Sequence, residues 1–361
     1  MPNCWRVVAS MPSCIAPSSA MPEGRRTLRA VLEESLQARW YGPVPPGLAL
    51  RLVAAVYGTL MRLRRWAYRV GLLRQHRLDI PVVVVGNRTV GGAGKTPLVI
   101  ALVTALRERG WRPGVLSRGY GRRSRGLQQV DRRSDAAEVG DEPLLVHLAT
   151  GAPVAVDADR INAAHTLIAA GCDLLIADDG LQHLRLGRVL DIEVQDARGL
   201  GNGRVMPAGP LREPVPARDV DVRVVHGREA EGTEVPMRLE LGDPRRLGGD
   251  PMATSRPLAS FVGRPVHAVA GIGHPGRFFR ALRGAGLAAL EHPFPDHHAF
   301  TEADFATMRD APVLMTGKDA VKCRHLGLDD AWEVPVTAVL PTAFLDTLDH
   351  RLRDSPRHVD P

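Results

Sequence analysis

The stretch Pro81-Val82-Val83-Val84-Val85-Gly86-Asn87-Arg88-Thr89-Val90-Gly91-Gly92-Ala93-Gly94-Lys95-Thr96-Pro97 decides the fold. Four consecutive valines read as a strand buried on both faces, since an unbroken β-branched run leaves no side for solvent. The residues from 97 to about 109 read as a helix, stopped by Gly110. A Gly-rich turn between such a strand and such a helix is where a phosphate loop must sit. Glycines let backbone N–H groups close around phosphate oxygens, and the helix N-terminus adds partial positive charge. Thr89, Val90, Gly91, Gly92, Ala93, Gly94, Lys95 and Thr96 are therefore the candidate nucleotide-binding residues. Lys95 reaches the β- and γ-phosphates, and the Thr96 hydroxyl takes a magnesium ion. The general pattern has glycine where Thr89 stands.

Composition supports a chemical role for Lys95. Only three of the 47 basic residues are lysine, at positions 95, 318 and 322. A chain this biased to arginine keeps lysine mainly where a compact ammonium is needed and a planar guanidinium fails. A phosphate loop also needs a carboxylate for magnesium at the end of a neighbouring strand. Leu174-Leu175-Ile176-Ala177-Asp178-Asp179-Gly180 supplies two, and both Asp178 and Asp179 are candidates: one to hold Mg2+, the other to orient or neutralise groups around it.

Working outward, strand-like runs recur at 114–117, 153–156, 173–177, 191–195 and 220–225, separated by helical stretches. Such alternation predicts a parallel sheet covered on both faces. The expected organisation is an α/β fold: a phosphate-loop sheet domain over 80–233, a linker or hairpin over 234–262, and a smaller α/β domain over 263–348. A loose tail is expected over 349–361. Residues 1–40 read as a leader without stable structure, and 41–79 as a basic amphipathic helical segment. Within it, Arg62, Arg65 and Arg69 share one helical face and Leu63, Trp66, Val70 and Leu73 another, with Tyr57, Trp66 and Tyr68 interleaved. That pattern suits a membrane surface. The uncharged run from Leu52 to Met61 is too short to span a bilayer alone.

The formal charge of +7 favours anionic partners, and 44% hydrophobic content is enough for real cores. No nucleic-acid motif or aromatic-basic platform accompanies the charge. The four cysteines suggest neither a metal site nor a disulfide framework, which fits a reducing compartment. Switch-type nucleotide hydrolases are also disfavoured: Thr316-Gly317-Lys318-Asp319 has guanine-recognising residue types at the wrong spacing. A kinase needs a group to take the acceptor hydroxyl's proton. Candidates are Gly140-Asp141-Glu142-Pro143, where a carboxylate before proline reads as extended backbone, and Phe294-Pro295-Asp296-His297-His298. A soluble hydrolase that couples nucleotide turnover to a protein or metallochaperone task is the alternative.

Taken together, these segments resemble the tetraacyldisaccharide 4'-kinase family of lipid A biosynthesis. The run 85–97 carries the resemblance, with Leu116-Ser117-Arg118-Gly119-Tyr120-Gly121, Gly140–Pro143 and Asp178-Asp179-Gly180-Leu181-Gln182-His183. It continues through Gly201-Asn202-Gly203-Arg204, Pro207–Pro214, Pro295–His298 and 316–322. The resemblance implies transfer of the ATP γ-phosphate to the 4'-hydroxyl of a tetraacylated disaccharide 1-phosphate. It implies a site in the cleft between two α/β domains, and an N-terminal helix docked on the cytoplasmic face of the bacterial inner membrane, with no obligate protein partner. It implies an Asp–His pair serving the acceptor hydroxyl, which falls on Asp141 and His297. Arg118, Tyr120, Arg160, Gln182 and His183 match positions lining the family's site, the two arginines as guanidinium forks for phosphate.

Overall fold

The computed structural model describes residues 28–215, 220–248 and 255–355. Helices α1 (Leu28–Tyr41) and α2 (Leu48–Arg69) come first. The chain then runs β1 (Val82–Gly86), α3 (Lys95–Glu108), β2 (Pro113–Ser117), β3 (Gln128–Val130), α4 (Ala136–Val139), α5 (Asp141–Thr150), β4 (Val154–Val156), α6 (Arg160–Ala169), β5 (Leu174–Asp178), β6 (Leu190–Asp196), β7 (Val222–His226) and β8 (Val235–Pro236). These form one eight-stranded sheet in the order β3-β4-β2-β5-β1-β6-β7-β8. Only the β3–β4 pairing is antiparallel.

The four valines show why this sheet is parallel. Val83 and Val85 pack with Leu98, Val99 and Leu102 of α3 on one face. Val82 and Val84 pack with Leu116, Ala177 and Ile161 on the other. With both faces of β1 covered, each of its four valines is buried, as the unbroken run requires. Chain order reverses around β1, which has β5 on one side and β6 on the other. The loops leaving the carboxyl ends of β1 and β5 therefore flank a crevice, the usual ligand position in a doubly wound sheet.

The second unit comprises β9 (Arg238–Leu241), β10 (Arg245–Arg246), β11 (Pro265–Ala270), α7 (Pro275–Gly284), β12 (Ala288–Pro293), β13 (Val313–Thr316), α8 (Gly317–Cys323), β14 (Ala331–Val334), β15 (Val336–Val339) and α9 (Thr342–Arg353). Its five-stranded sheet runs β10-β14-β13-β11-β12, and β9 pairs with β15 in a separate ribbon. The expected hairpin over 234–262 is instead three short strands serving three sheets: β8 edges the first, β9 joins the ribbon, and β10 edges the second. Period-2 alternation marked the strands but could not name their partners.

Both chain ends differ from expectation. The leader closes in a helix, α1, while residues 1–27 lie outside those described. Trp40 at the end of α1 is buried and donates its indole N–H to the Pro207 carbonyl at 3.0 Å, a tie no local reading supplies. The expected loose tail is α9 as far as Arg353. Its Leu348 and Leu352 are buried against the first domain's core, and Trp111 donates to Asp349 at 2.7 Å. The C-terminal helix thus returns to the first sheet, and α9 straddles the domain boundary placed at 348. Residues 356–361 are outside those described.

Leu63 and Trp66 of helix α2, and Val70 just after it, are exposed on one face, as read from the sequence, but two side chains placed on the surface turn inward. Ala54, Gly58 and Ala67 are its buried residues. Tyr57 points inward and donates to the Arg212 carbonyl at 2.7 Å, and Arg65 pairs with Glu213. Leu52, Val56, Leu60, Leu63 and Trp66 form a stripe left open to solvent. Small residues let the helix approach the sheet domain closely, so its large apolar side chains face away. Among the described residues, no helix is long and apolar enough to cross a membrane.

Candidate active site

The phosphate loop follows β1 and ends at the first turn of α3. Gly91 and Gly94 have φ of 104° and 83°, values open to glycine and costly for other residues. A Cβ at Gly94 would also stand 3.0 Å from His226 Nε2, and that nitrogen lies 2.9 Å from the Ala93 carbonyl. Asn87 braces the loop from below, its amide donating to the carbonyls of Thr89 at 2.6 Å and Gly91 at 3.3 Å. Lys95 is buried, donates to Asn87 Oδ1 at 3.0 Å and lies 3.5 Å from Asp179. Thr96 is buried beside it.

Asp178 ends β5 and Asp179 follows it in the turn, and their environments diverge. Burial, with Glu142 nearby, pushes the Asp178 carboxyl up to about 7, and its Oδ1 has no hydrogen-bond partner. Burial would raise Asp179 too, but Lys95 and Arg212 hold it at about 2. Arg212 grips both Asp179 oxygens, at 2.7 and 2.8 Å. An orphaned, desolvated carboxylate is costly unless a cation meets it. Asp178 and Thr96 thus fit a magnesium ion, while Asp179 already has its countercharges. Asp179 and His297 are the two described non-glycine residues with positive φ, 50° and 59°. Backbone held in that region collects at functional sites.

His297 belongs to the second unit and Asp141 to the first, yet His297 Nδ1 lies 3.0 Å from Asp141 Oδ2. The expectation of extended backbone at 140–143 is corrected. Helix α5 starts at Asp141, and Pro143 falls in its first turn, where a missing N–H costs nothing. The buried Asp141 carboxylate therefore sits at a helix N-terminus, which favours its charge. Burial alone would raise its pKa, but the His297 hydrogen bond and Lys318 hold it below the ordinary value. The same bond holds His297 above its ordinary value. Next along, Glu142 forms an ion pair with Lys318 of α8. Burial opposes charge on both, yet each keeps the other ionised, the carboxyl lowered and the ammonium raised. Lys322 lies 2.9 Å from Asp319. All three lysines of the chain thus stand in ion pairs, and the Lys318 pair joins the two units.

Comparison with known proteins settles the family. The family model for tetraacyldisaccharide-1-P 4'-kinase matches residues 47–353. The chain belongs to this family. A tetraacyldisaccharide 4'-kinase of Xanthomonas euvesicatoria pv. vesicatoria is 49% identical over 328 residues, covering 87% of this chain and 94% of that protein. One from Stenotrophomonas maltophilia is 49% identical over 325 residues, covering 87% and 95%. A crystal structure of LpxK from Aquifex aeolicus in complex with ATP superposes with a TM-score of 0.73 at 29% identity, covering 84% of this chain and 98% of that one.

The remaining residues matched to the family's site divide in two. Arg118 and Tyr120 are exposed at the crevice rim, and the Tyr120 ring lies 5.4 Å from the His297 ring. Arg160 is buried, with one nitrogen of its fork already engaged and its Nε without a hydrogen-bond partner. It donates to the carbonyls of Asp178 and Asp179 at 3.3 and 2.8 Å, clamping the turn between the two carboxylates. Gln182 donates to the Asn87 carbonyl at 3.3 Å. Burial, with Arg160, Arg188 and Arg64 around it, takes His183 down to about 4, and its Nε2 has no partner. Sequence reasoning did not single out Asn87, Arg212 or Glu142. Glu142 stood beside a chosen aspartate, whereas Arg212 had no local signal beyond its place in Pro-Leu-Arg-Glu-Pro.

Proposed function

We propose that this chain transfers the γ-phosphate of ATP to the 4'-hydroxyl of a tetraacylated disaccharide 1-phosphate, giving lipid IVA. The observation that carries this reading is the Asp141–His297 pair, built from both units and facing the crevice beside the loop with Lys95. The acceptor oxygen bonds to the γ-phosphorus as the bond to the bridging oxygen breaks. That electron pair leaves on ADP, and the hydroxyl proton passes to the Asp141 carboxylate. His297, carrying its proton, orients Asp141 and keeps it ionised until the transfer. Lys95 and the amides of the loop neutralise the terminal phosphates, so placement and electrostatics supply most of the acceleration. Thr96 and Asp178 would hold Mg2+, with Asp179 locked to Arg212, and the ion would supply neutralising charge for the terminal phosphates. Arg118, Tyr120, Gln182 and His183 line the acceptor side, and Arg160 sets the carboxylate turn.

The apolar stripe of α2 supports docking on the cytoplasmic face of the inner membrane. A peripheral helix lays such a face into the headgroup boundary while the acyl chains of the substrate remain in the bilayer. Incubation with radiolabelled ATP and the lipid disaccharide, resolved by thin-layer chromatography, tests the assignment. Label in a lipid product supports it; label released only as inorganic phosphate overturns it in favour of a hydrolase.

A further inference from the structure

A cluster of charged and polar groups stands over the phosphate loop, and none of the roles above uses it. A Cβ at Gly91 would lie 3.7 Å from both terminal nitrogens of Arg198 and 4.0 Å from His274 Nε2. His274 comes from the second unit, where it caps α7 without making a side-chain capping bond. Its Nε2 is buried and has no hydrogen-bond partner. Arg198 is fixed from behind by Asp196, which accepts from its Nε at 2.9 Å and its Nη2 at 2.7 Å. Neither bond uses Nη1, one of the two nitrogens facing the loop. The same carboxylate accepts from Arg277 of α7 at 2.6 Å, so one buried aspartate joins the two units at this point. The adjoining Gly273 completes the geometry: its own missing Cβ would stand 3.5 Å from the Gly92 amide nitrogen and 3.4 Å from Asp296 Oδ2. Asp296 adjoins His297. The segment 273–274 therefore lies between the phosphate loop and the pair that receives the acceptor's proton.

From this placement we infer that Arg198 and His274 are γ-phosphate-positioning residues, closing the loop from the side opposite Lys95. The inference rests on the kinase reading above and deepens it. Lys95 approaches the terminal phosphates from within the loop, whereas a group seated outside Gly91 meets only what projects beyond it. Two guanidinium groups against one carboxylate leave the cluster a net cation, and His274 stays neutral. Burial, with Arg198 and Arg277 beside it, holds that imidazole at about 4. A neutral ring with an unused Nε2 can donate one hydrogen bond to a phosphate oxygen without adding charge. Arg198 Nη1 supplies a charge-assisted donor next to it. Charge moves onto the equatorial oxygens of the transferring group in the transition state, and donors fixed there in advance act where stabilisation is greatest. An arginine meeting a transferring phosphoryl group typically contributes about 10³- to 10⁵-fold.

The test uses His274→Gln, Arg198→Gln and the conservative Arg198→Lys. Calorimetry measures affinity for a non-hydrolysable ATP analogue and for ADP, and the lipid transfer assay measures turnover. His274 Nε2 bonds to nothing in the protein, so His274→Gln should leave the melting temperature unchanged or raised. Arg198 also packs over the Tyr41 ring, 5.0 Å from its centroid. His274→Gln is therefore the decisive variant should Arg198→Gln fold poorly. We expect each Gln variant to weaken the ATP analogue about tenfold or more, leave ADP within twofold, and lower turnover by about 10²-fold or more. Arg198→Lys should recover part of the affinity. Equal losses for the ATP analogue and ADP, or no loss for either, overturn the inference. Failure of the wild-type chain to phosphorylate the lipid would sink the kinase reading instead, and would leave the comparison of the two nucleotides intact.

Discussion

Replacing Asp141 with Asn tests the chemistry most directly. Asparagine keeps the shape and can still accept from the Glu142 amide, which donates to Asp141 Oδ1 at 2.9 Å. What it loses is the charge facing His297. A base positioned on the proton being transferred contributes about 10²- to 10⁴-fold, or about 2.7 to 5.4 kcal/mol at 1.36 kcal/mol per decade. Turnover should fall by that factor with ATP affinity kept, because Asp141 sits on α5 and the nucleotide on the loop before α3. The stability cost should be smaller. A charge-assisted hydrogen bond contributes about 1.5–3 kcal/mol, and the His297 side chain is 33% exposed, so the low end applies. The pH dependence has a definite sign. His297 is raised above 6.5 in the folded protein, so its share of stability is complete below that value and is lost as pH rises through the raised one. Asp141 is lowered below 3.8, so its share is present above that value and is lost as pH falls through the lowered one. In Asp141→Asn the Asp141 dependence should vanish and that of His297 should shrink, with Asp296 still beside the ring, and the His297 ring should titrate below its wild-type value when followed by NMR. Unchanged turnover would remove Asp141 from the mechanism. An unmoved His297 titration would show that the pair is not coupled.

Three further outcomes follow from other parts of the structure. Asp178→Asn should cut transfer by about 10²-fold or more while leaving the metal-free protein as stable or more so. With its carboxyl raised from 3.8 to about 7, wild-type metal-free protein should lose stability as pH rises across that window, and the variant should not; a parallel loss in both would refute the reading. Combining Leu52→Glu, Val56→Glu and Leu63→Glu on the exposed stripe of α2 should abolish flotation with anionic liposomes at little cost in stability, within about 0.5 kcal/mol per site. Retained flotation would mean that the stripe is not the docking face. Leu348→Ala with Leu352→Ala in α9 should destabilise the protein by about 2–5 kcal/mol per site in urea unfolding, and a change below 1 kcal/mol would show that α9 is not part of the core.

The first sheet was legible because its information is local. Four valines, a Gly-rich turn and a helix fix strand, loop and nucleotide pole within some 30 residues, and the pair Asp178 and Asp179 could be placed near Lys95, without a choice between them, since parallel strands align their carboxyl ends. Helix α5 shows where local reading fails. Pro143 looked like a helix breaker, yet in a first turn it is tolerated, and a window of four residues cannot distinguish the two. Tyr57 shows a second kind of failure. It belongs by composition to an aromatic-basic surface, but the small residues Ala54 and Gly58 set the helix rotation and turn it inward to the Arg212 carbonyl.

The contacts between units were the least legible part, for a physical reason. Asp141 meets His297 across 156 positions of chain, Glu142 meets Lys318 across 176, and Asp196 meets Arg277 across 81. No periodicity or spacing rule encodes such distances. Two signals crossed the gap: scarcity marked Lys318 as an ammonium with a purpose, and the family resemblance had already joined Asp141 to His297. The three contacts have a common consequence. Each pairs a first-unit carboxylate with a cationic or protonatable group of the second unit, and the phosphate loop adds further positive charge between them. A polyanionic nucleotide entering that space meets cations of both units and can bridge them. Nucleotide charge and interdomain closure should therefore be energetically coupled, with the number of phosphates setting how firmly the second unit is held. ADP, carrying one phosphate fewer, should hold the closed arrangement less firmly than ATP.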